Sequence, residues 1–410
     1  MEKYVDNQKQ MWITYNTTMA KTDYKQNIKY FLITSVFQWF FVVIGVWVLI
    51  WRSFLSWEEI ALVTSISLFV QLLPELPSGA LADLWGRKNT IIFGRFLGVI
   101  GFAIFIFATN FWMFLLGNIL YLANWAFESG ALSALLFDSL KENGLGEEEY
   151  QKVEADTFFW CTIGMAISSA LGGYLYTLHH QLPYIATTIA AILALVTAFG
   201  LEEPELDSIK INFKAYLRQN WDGFLHIFRN AKIRAISLFS VLVNFVAYAG
   251  LWYLYEPRLA EGGFPATWLA LLVSGTYLIR AFGTKLIPLV LKFGDKNIPI
   301  ILTLFQALGS ALSFIETKFG AVSSVYLRKM SDGMRSPILA RLQNVELESR
   351  YRATSLSAIS LLGNVLISLV GPLIGYFMER GGASATLGYF SLVGLVLVLP
   401  SAIYLSRKIK

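Results

Sequence analysis

Apolar runs long enough to cross a lipid bilayer recur along almost the whole chain, and no other feature limits the possible fold so strongly. A helix needs about 20 apolar residues to span the ~30 Å hydrocarbon core. Runs of that kind fall at 28–51, 58–82, 89–108, 111–139, 154–177 and 182–201, and again at 232–256, 267–291, 297–316, 319–343, 353–378 and 384–405. The expected fold is an all-α integral membrane protein with twelve transmembrane helices in two pseudo-symmetric six-helix bundles. The divisions are a tail at 1–27, a first bundle at 28–201, a linker at 202–231, a second bundle at 232–405 and a tail at 406–410. The linker mixes aromatics with Lys210, Lys214, Arg218 and Arg229, which suits an amphipathic helix on the membrane surface.

Composition agrees. Of 410 residues 56% are hydrophobic and only 15% charged, too few charges to cover a soluble surface. The net charge of +5 reads as orienting charge rather than a nucleic-acid surface. Arg52, Arg258, Lys318 and Arg380 are the basic residues in the loops on one side, and most others fall in the tails, the linker and the loops opposite. That imbalance places both termini in the cytoplasm and the chain in the cell (inner) membrane. Cys161 is the single cysteine, so no intrachain disulfide forms, and the scattered histidines make no metal site. No cofactor is expected. No phosphate-binding Gly-x-x-x-x-Gly-Lys-Ser/Thr loop is present, so the driving force would be an ion gradient rather than ATP.

Six runs, a linker and six more runs form a repeat at the level of hydropathy. Gly164-x-x-x-Ser168-Ser169-x-x-Gly172-Gly173 in the fifth run lines up with Gly371-Pro372-x-x-Gly375 in the eleventh. Between the second and third runs lies Pro74-Glu-Leu-Pro-Ser-Gly79-Ala-Leu-Ala-Asp83-Leu-Trp-Gly86-Arg87-Lys88. Gly79 permits close helix approach, Gly86 a tight turn, and Arg87 and Lys88 hold the turn at the cytoplasmic face. Lys292-Phe-Gly294-Asp295-Lys296 keeps the basic turn in the second half without the upstream acid.

The spacing Gly79, Asp83, Gly86, Arg87, Lys88 resembles the loop 2–3 signature of the major facilitator superfamily. Glu75-Leu-Pro77-Ser-Gly79, the stretch from Ser129 to Asp138 and Arg352-Ala-Thr-Ser-Leu-Ser resemble a bacterial branch of undefined substrate, similar to drug efflux permeases. The resemblance implies two bundles rocking about a central site lined by the first, fourth, seventh and tenth spans. It also implies that Asp83, Arg87 and their neighbours form contacts made and broken during the cycle. The chain departs from the drug/proton antiporters of that family at Leu84, at Ala126, where an arginine is usual, and at Ser168-Ser169, where glycine–proline is usual.

Polar residues inside the cavity spans are the site candidates. Glu128 is the first candidate for proton coupling, because a carboxylate mid-membrane needs a wet cavity or a partner. Asn124 lies one turn away. Arg328, Asp332 and Arg335 share one face of span 10, where Arg328 and Asp332 can form a local ion pair and Arg335 would face the cavity. The same three residues are equally compatible with an interfacial or salt-bridge role. Gln38, Asn244 and Tyr248 add polar groups to an aromatic cavity. Glu75, Asp138, Gly172, Gly173, Gly371 and Pro372 are gating candidates. The leading expectation is alternating-access transport, by proton-coupled efflux of a small amphipathic compound, by a monomer in the lipid bilayer. Uptake or facilitated diffusion of a small organic anion is the alternative in the same class. A non-transporting receptor or scaffold is the alternative outside it.

Overall fold

The computed structural model describes residues 23–204, 221, 223–348 and 351–409, with side chains at all but 75–81, 83, 84, 129 and 353. The N-terminal tail to residue 22 and most of the 202–231 linker, including its expected surface helix, lie outside the described residues. So do the side chains of Glu75 and Asp83 and the surroundings of Gly79, although the helix that carries these residues is described.

Helix α1 is Tyr24–Trp39, prolonged by a 3-10 turn, Val42–Gly45, and a short helix, Trp47–Arg52. It starts a turn earlier than the apolar run does, because the Asp23 carboxylate accepts from the backbone of Lys25 and Gln26. Then follow α2 Trp57–Trp85, α3 Arg87–Phe107, α4 Phe111–Glu142, α5 Glu147–Leu178 and α6 Leu182–Ala198. The second half has α7 Ala231–Ala249, continued by a π turn, Gly250–Leu254, and by Tyr255–Glu261. After it come α8 Ala266–Lys285, α9 Ile298–Ala311 and α10 Lys318–Glu346. One unbroken run, Arg352–Val393, turns at Gly382 (φ 75°) and divides into α11 (352–381) and α12, which ends at Ser406.

Among the described residues there is no strand, and eight helices are long and apolar enough to cross a membrane. Helices α6 and α9 are shorter apolar segments, and the 53-residue run Thr354–Ser406 is long enough for two crossings. Helix α10 stays outside the eight because Arg328, Lys329, Asp332 and Arg335 interrupt its apolar character. The described helices are consistent with twelve crossings.

Small residues set how closely the helices approach. A Cβ on Gly101 of α3 would lie 2.8 Å from the Gly117 carbonyl oxygen of α4, so only glycine permits that contact. The first and second halves meet along two seams related by the repeat, α2 against α11 and α5 against α8. In the first seam the Trp57 amide donates to Glu379 Oε2 (2.7 Å), Arg380 pairs with Glu58 (2.7 Å), and Ser65 Oγ meets Tyr253 Oη (2.9 Å). In the second, Ser169 Oγ donates to the Ala270 carbonyl (3.0 Å) and Ser274 Oγ to that of Ala166 (2.9 Å).

Every one of these bonds lies toward the membrane face opposite the termini, here the far face. At the terminal face the described polar contacts stay within one half. Arg87 pairs with Asp138 of α4, and Asp295 with Arg341 of α10 at 3.0 Å. The same turn-to-helix bridge thus occurs in both halves with its charges exchanged. The Glu203 carboxylate accepts from the Arg87 and Lys88 amides at 2.7 Å each, which caps the start of α3. Gly86 makes the turn possible with φ 88°.

Candidate functional site

The first helix of each half is interrupted at an equivalent place. In α1, Phe40 and Phe41 leave helical geometry. The Val43 amide is satisfied instead by the Thr187 hydroxyl of α6 (3.1 Å). Gly172 of α5 makes room for the displaced chain, since a Cβ there would run into the Val42 carbonyl. In α7 the π turn does the corresponding work, and the space left by Gly250 is filled by the Tyr255 ring. Interrupted helices at matching positions of two repeats are where transporters place their sites.

Between the two interruptions lies an aromatic chamber of about 290 Å³. Helix α1 contributes Gln38, α4 Asn118 and Tyr121, α7 Trp252 and Glu256, and α8 Tyr277 and Arg280. Ring contacts fix its first-half wall, with Phe41 and Phe102 each within 5.4 Å of Tyr121 and Trp39 edge-on to Trp125 at 5.4 Å. Trp51 Nε1 donates to Tyr184 Oη (2.7 Å) within the same wall.

Two further chambers adjoin it, each with charged residues in its lining. In the second half a chamber of about 260 Å³ is lined by Asn244, Tyr248, Lys329, Asp332 and Arg335, and it shares Leu251 and Arg280 with the aromatic one. Arg335 donates to Asn244 Oδ1, and its Nε lies 3.5 Å from Asp332 Oδ1. Lys329, 3% exposed, sits over the rings of Tyr255 (5.0 Å) and Tyr277 (5.7 Å). In the first half a chamber of similar volume shares Trp39 and Trp125 with the aromatic one and holds Glu128 and Glu154. Glu128 Oε1 accepts from Arg95 Nη2 of α3 (2.7 Å), while its Oε2 has no hydrogen-bond partner. Glu154 accepts from Ser133 (3.1 Å) and Tyr150 (2.5 Å).

Of the residues singled out from the sequence, Gln38, Glu128, Asn244, Tyr248, Asp332 and Arg335 line these three adjoining chambers. Two do not. Asn124 is fully buried against α3, where its side chain fills the space opposite Gly98. Arg328 is fully buried and ties helices together, donating to Tyr255 Oη (3.1 Å), Ser310 Oγ (2.7 Å) and the Val246 carbonyl (2.6 Å). The ion pair expected between Arg328 and Asp332 is therefore made by Arg335 instead, because Arg328 is drawn to acceptors on α7 and α9. Asp138 holds Arg87, and Gly371 leaves room for the Ser65–Tyr253 contact. Gly173 sits at the far-face seam, where a Cβ would lie 2.9 Å from the Ala266 carbonyl oxygen. Pro372 lies inside α11 beside Gly371.

Sequence reasoning missed Glu256, Tyr277 and Trp252. Glu256-Pro257-Arg258 reads as the end of a span, but the helix continues to Glu261. Arg258 is 2% exposed rather than a loop cation, and it donates to Ser313 Oγ (2.9 Å) and the Ile315 carbonyl (2.8 Å) at the end of α9.

The sequence model of the Major Facilitator Superfamily matches residues 30–372. An uncharacterized MFS-type transporter of Bacillus subtilis (strain 168), YxaM, is 23% identical over 367 residues, covering 84% of this chain and 86% of that protein. Among solved structures, the nucleoside transporter NupG superposes with a TM-score of 0.74 at 17% identity, over 95% of this chain and all of that one. A D-xylose–proton symporter gives 0.67 at 14% identity, covering 93% and 95%. A bacterial homolog to the human lysosomal transporter Spinster, inward-facing and unoccupied, gives 0.65 at 16% identity, covering 94% and 92%.

Proposed function

The chain belongs to the major facilitator superfamily, and from that premise we propose that it exports small amphipathic compounds in exchange for protons by alternating access. Membership makes it a multi-pass membrane transporter rather than an enzyme. The observation that carries the finer reading is the aromatic chamber at the two helix interruptions. Its walls are mostly rings, with Gln38, Asn118, Glu256 and Arg280 as isolated polar points. A compound with an apolar body and polar ends would bury the first against the rings and satisfy the second on those points.

The contacts between the halves lie toward the far face, so alternating access requires breaking them to open the chamber on that side. The D-xylose–proton symporter supports proton coupling as a capacity of this fold. The acceptor would be one of the cavity carboxylates Glu128, Glu154, Glu256 or Asp332. The Lys and Arg distribution orients the terminal face toward the cytoplasm.

A second reading, movement of a small organic anion, is favoured by one observation. The second-half chamber sets Arg280, Lys329 and Arg335 against Asp332 alone. The two readings separate in proteoliposomes with an imposed pH gradient, loaded with a mixture of lipophilic cations and organic anions read by mass spectrometry. Export predicts gradient-driven movement of lipophilic compounds that Trp252→Ala weakens. Anion movement that is lost in Arg335→Gln and indifferent to Trp252 would replace it. No movement of any compound would reject both.

A further inference from the structure

Most carboxylates inside this cavity are already engaged. Glu128 is held by Arg95, Asp332 by Arg335 and the Tyr255 hydroxyl (3.2 Å), and Glu154 by Ser133 and Tyr150. At the terminal face Asp138 is held by Arg87. Beyond the cavity Glu261 accepts from the Ala383 and Ser384 amides. Glu256 differs. It is 6% exposed and lines the aromatic chamber, and no other described residue donates a hydrogen bond or forms an ion pair to its side chain. The opposite charge acting on it is the Lys329 ammonium, which lies over the rings of Tyr255 and Tyr277 and faces Asp332 as well. The other groups facing this space are Tyr277 and Arg280 from α8, Tyr121 from α4 and Asp332 from α10.

Position strengthens the contrast. Glu256 is three residues beyond Tyr253, whose hydroxyl meets Ser65 in the α2–α11 seam. It therefore lies about one turn from a contact that ties the two halves together toward the far face. In the transport reading above, opening that seam wets Glu256 from the far side, and the alternate state exposes the chamber to the terminal side. A coupling group must be reachable from each side in turn, and an ionisable group kept inside a membrane without a bonded partner is costly unless it is used.

Building on the transport reading above, we infer that Glu256 is the carboxylate that couples transport to protons, with Lys329 as its counter-charge. One proton from the far side adds to the Glu256 carboxylate and leaves to the terminal side. The substrate's hydrogen-bond donor or cationic end occupies the same carboxylate in the alternate step. The Lys329 ammonium balances the charge of the carboxylate when neither ligand is bound.

The test reads the proton itself, so it does not depend on knowing the substrate. Full-length protein in liposomes is acidified stepwise and followed by infrared difference spectroscopy for a carboxylic-acid carbonyl band. The chain holds 28 acidic residues that also protonate, so the readout is the variant-minus-unaltered difference. A band component present in the unaltered protein and in Glu128→Gln is expected to be missing in Glu256→Gln and displaced in frequency in Glu256→Asp. The Asp variant keeps the experiment decisive if Glu256→Gln fails to fold. No component lost in Glu256→Gln, or none displaced in Glu256→Asp, overturns the assignment. Tetraphenylphosphonium flux is measured on the same liposomes. If the unaltered protein fails to move it, the choice of probe and the export reading are at fault while the infrared result still judges Glu256. If the protein moves it, Glu256→Gln should lose the gradient-driven part, and gradient-driven flux that persists in that variant overturns the assignment.

Discussion

The Arg95–Glu128 pair can be tested as a structural bridge. Arg95 is 1% exposed and Glu128 5%, and 2.7 Å separates Nη2 from Oε1. Replacing Arg95 by Met leaves a buried carboxylate with no cation and an arginine-sized space that Met largely fills. Removing one partner of such a pair costs about 3–5 kcal/mol, because the surviving charge is uncompensated. Glu128→Gln should cost a similar amount by stranding the guanidinium. The pair as it stands is not well solvated, since Arg95 Nε and Nη1 and Glu128 Oε2 all lack hydrogen-bond partners. Its net contribution over an apolar replacement is therefore small. Arg95→Met combined with Glu128→Met should come within about 1 kcal/mol of the unaltered protein. The assay is a double-mutant cycle on equilibrium unfolding in mixed micelles, with proton-driven flux measured on each variant. Single losses that simply add in the double variant would refute the argument, because two charges that bridge each other cannot be independent. Flux that stays proton-coupled in the double variant would separate Glu128 from coupling.

Three further outcomes follow from the packing. Gly172→Ala drives a Cβ into the Val42 carbonyl, so the α1 interruption must shift; about 1–3 kcal/mol of destabilisation and loss of flux are expected, read by thermal unfolding and transport. A Cβ on Gly375 would run into Ala61 Cβ and lie 2.9 Å from the Trp57 carbonyl oxygen across the α2–α11 seam, so Gly375→Ala should loosen the seam at a cost of about 1–3 kcal/mol, read by thermal unfolding, and change flux. Unchanged stability and flux would mean the close approach at that seam does not matter to the cycle. Arg87→Ala removes a half-buried bridge to Asp138 and should change stability by no more than about 1 kcal/mol while slowing flux. A large drop in melting temperature with normal flux would make it a purely structural contact.

Much of the architecture was legible because the bilayer imposes a length and a composition on anything that crosses it. The turn at Gly86 and the small residues at 172, 173 and 371 could be read for the same reason, since close approach and positive φ admit few residue types. The site was less legible. Asn124 and Arg328 carry the same polar signal as Gln38 and Arg335, and nothing in their spacing tells a cavity wall from a helix-to-helix tie. Glu256 was hidden by its neighbours, since Pro257 and Arg258 resemble the polar end of a span.

The order of helices, their relation by repeat and the basic turns at one face follow from the linear sequence, because hydropathy and local turn chemistry are properties of short segments. Which cations meet which acids is different in kind. Arg95 finds Glu128 33 positions away, and Arg328 turns from Asp332 to a carbonyl 82 positions away. Those choices depend on where helices cross and which faces they turn to each other, and only packing in three dimensions sets that. Among the described residues, the same packing leaves Glu256 and Lys329 on adjoining chambers without an ion pair or a hydrogen bond from another residue, so the group proposed to carry the proton is defined by the tertiary structure alone.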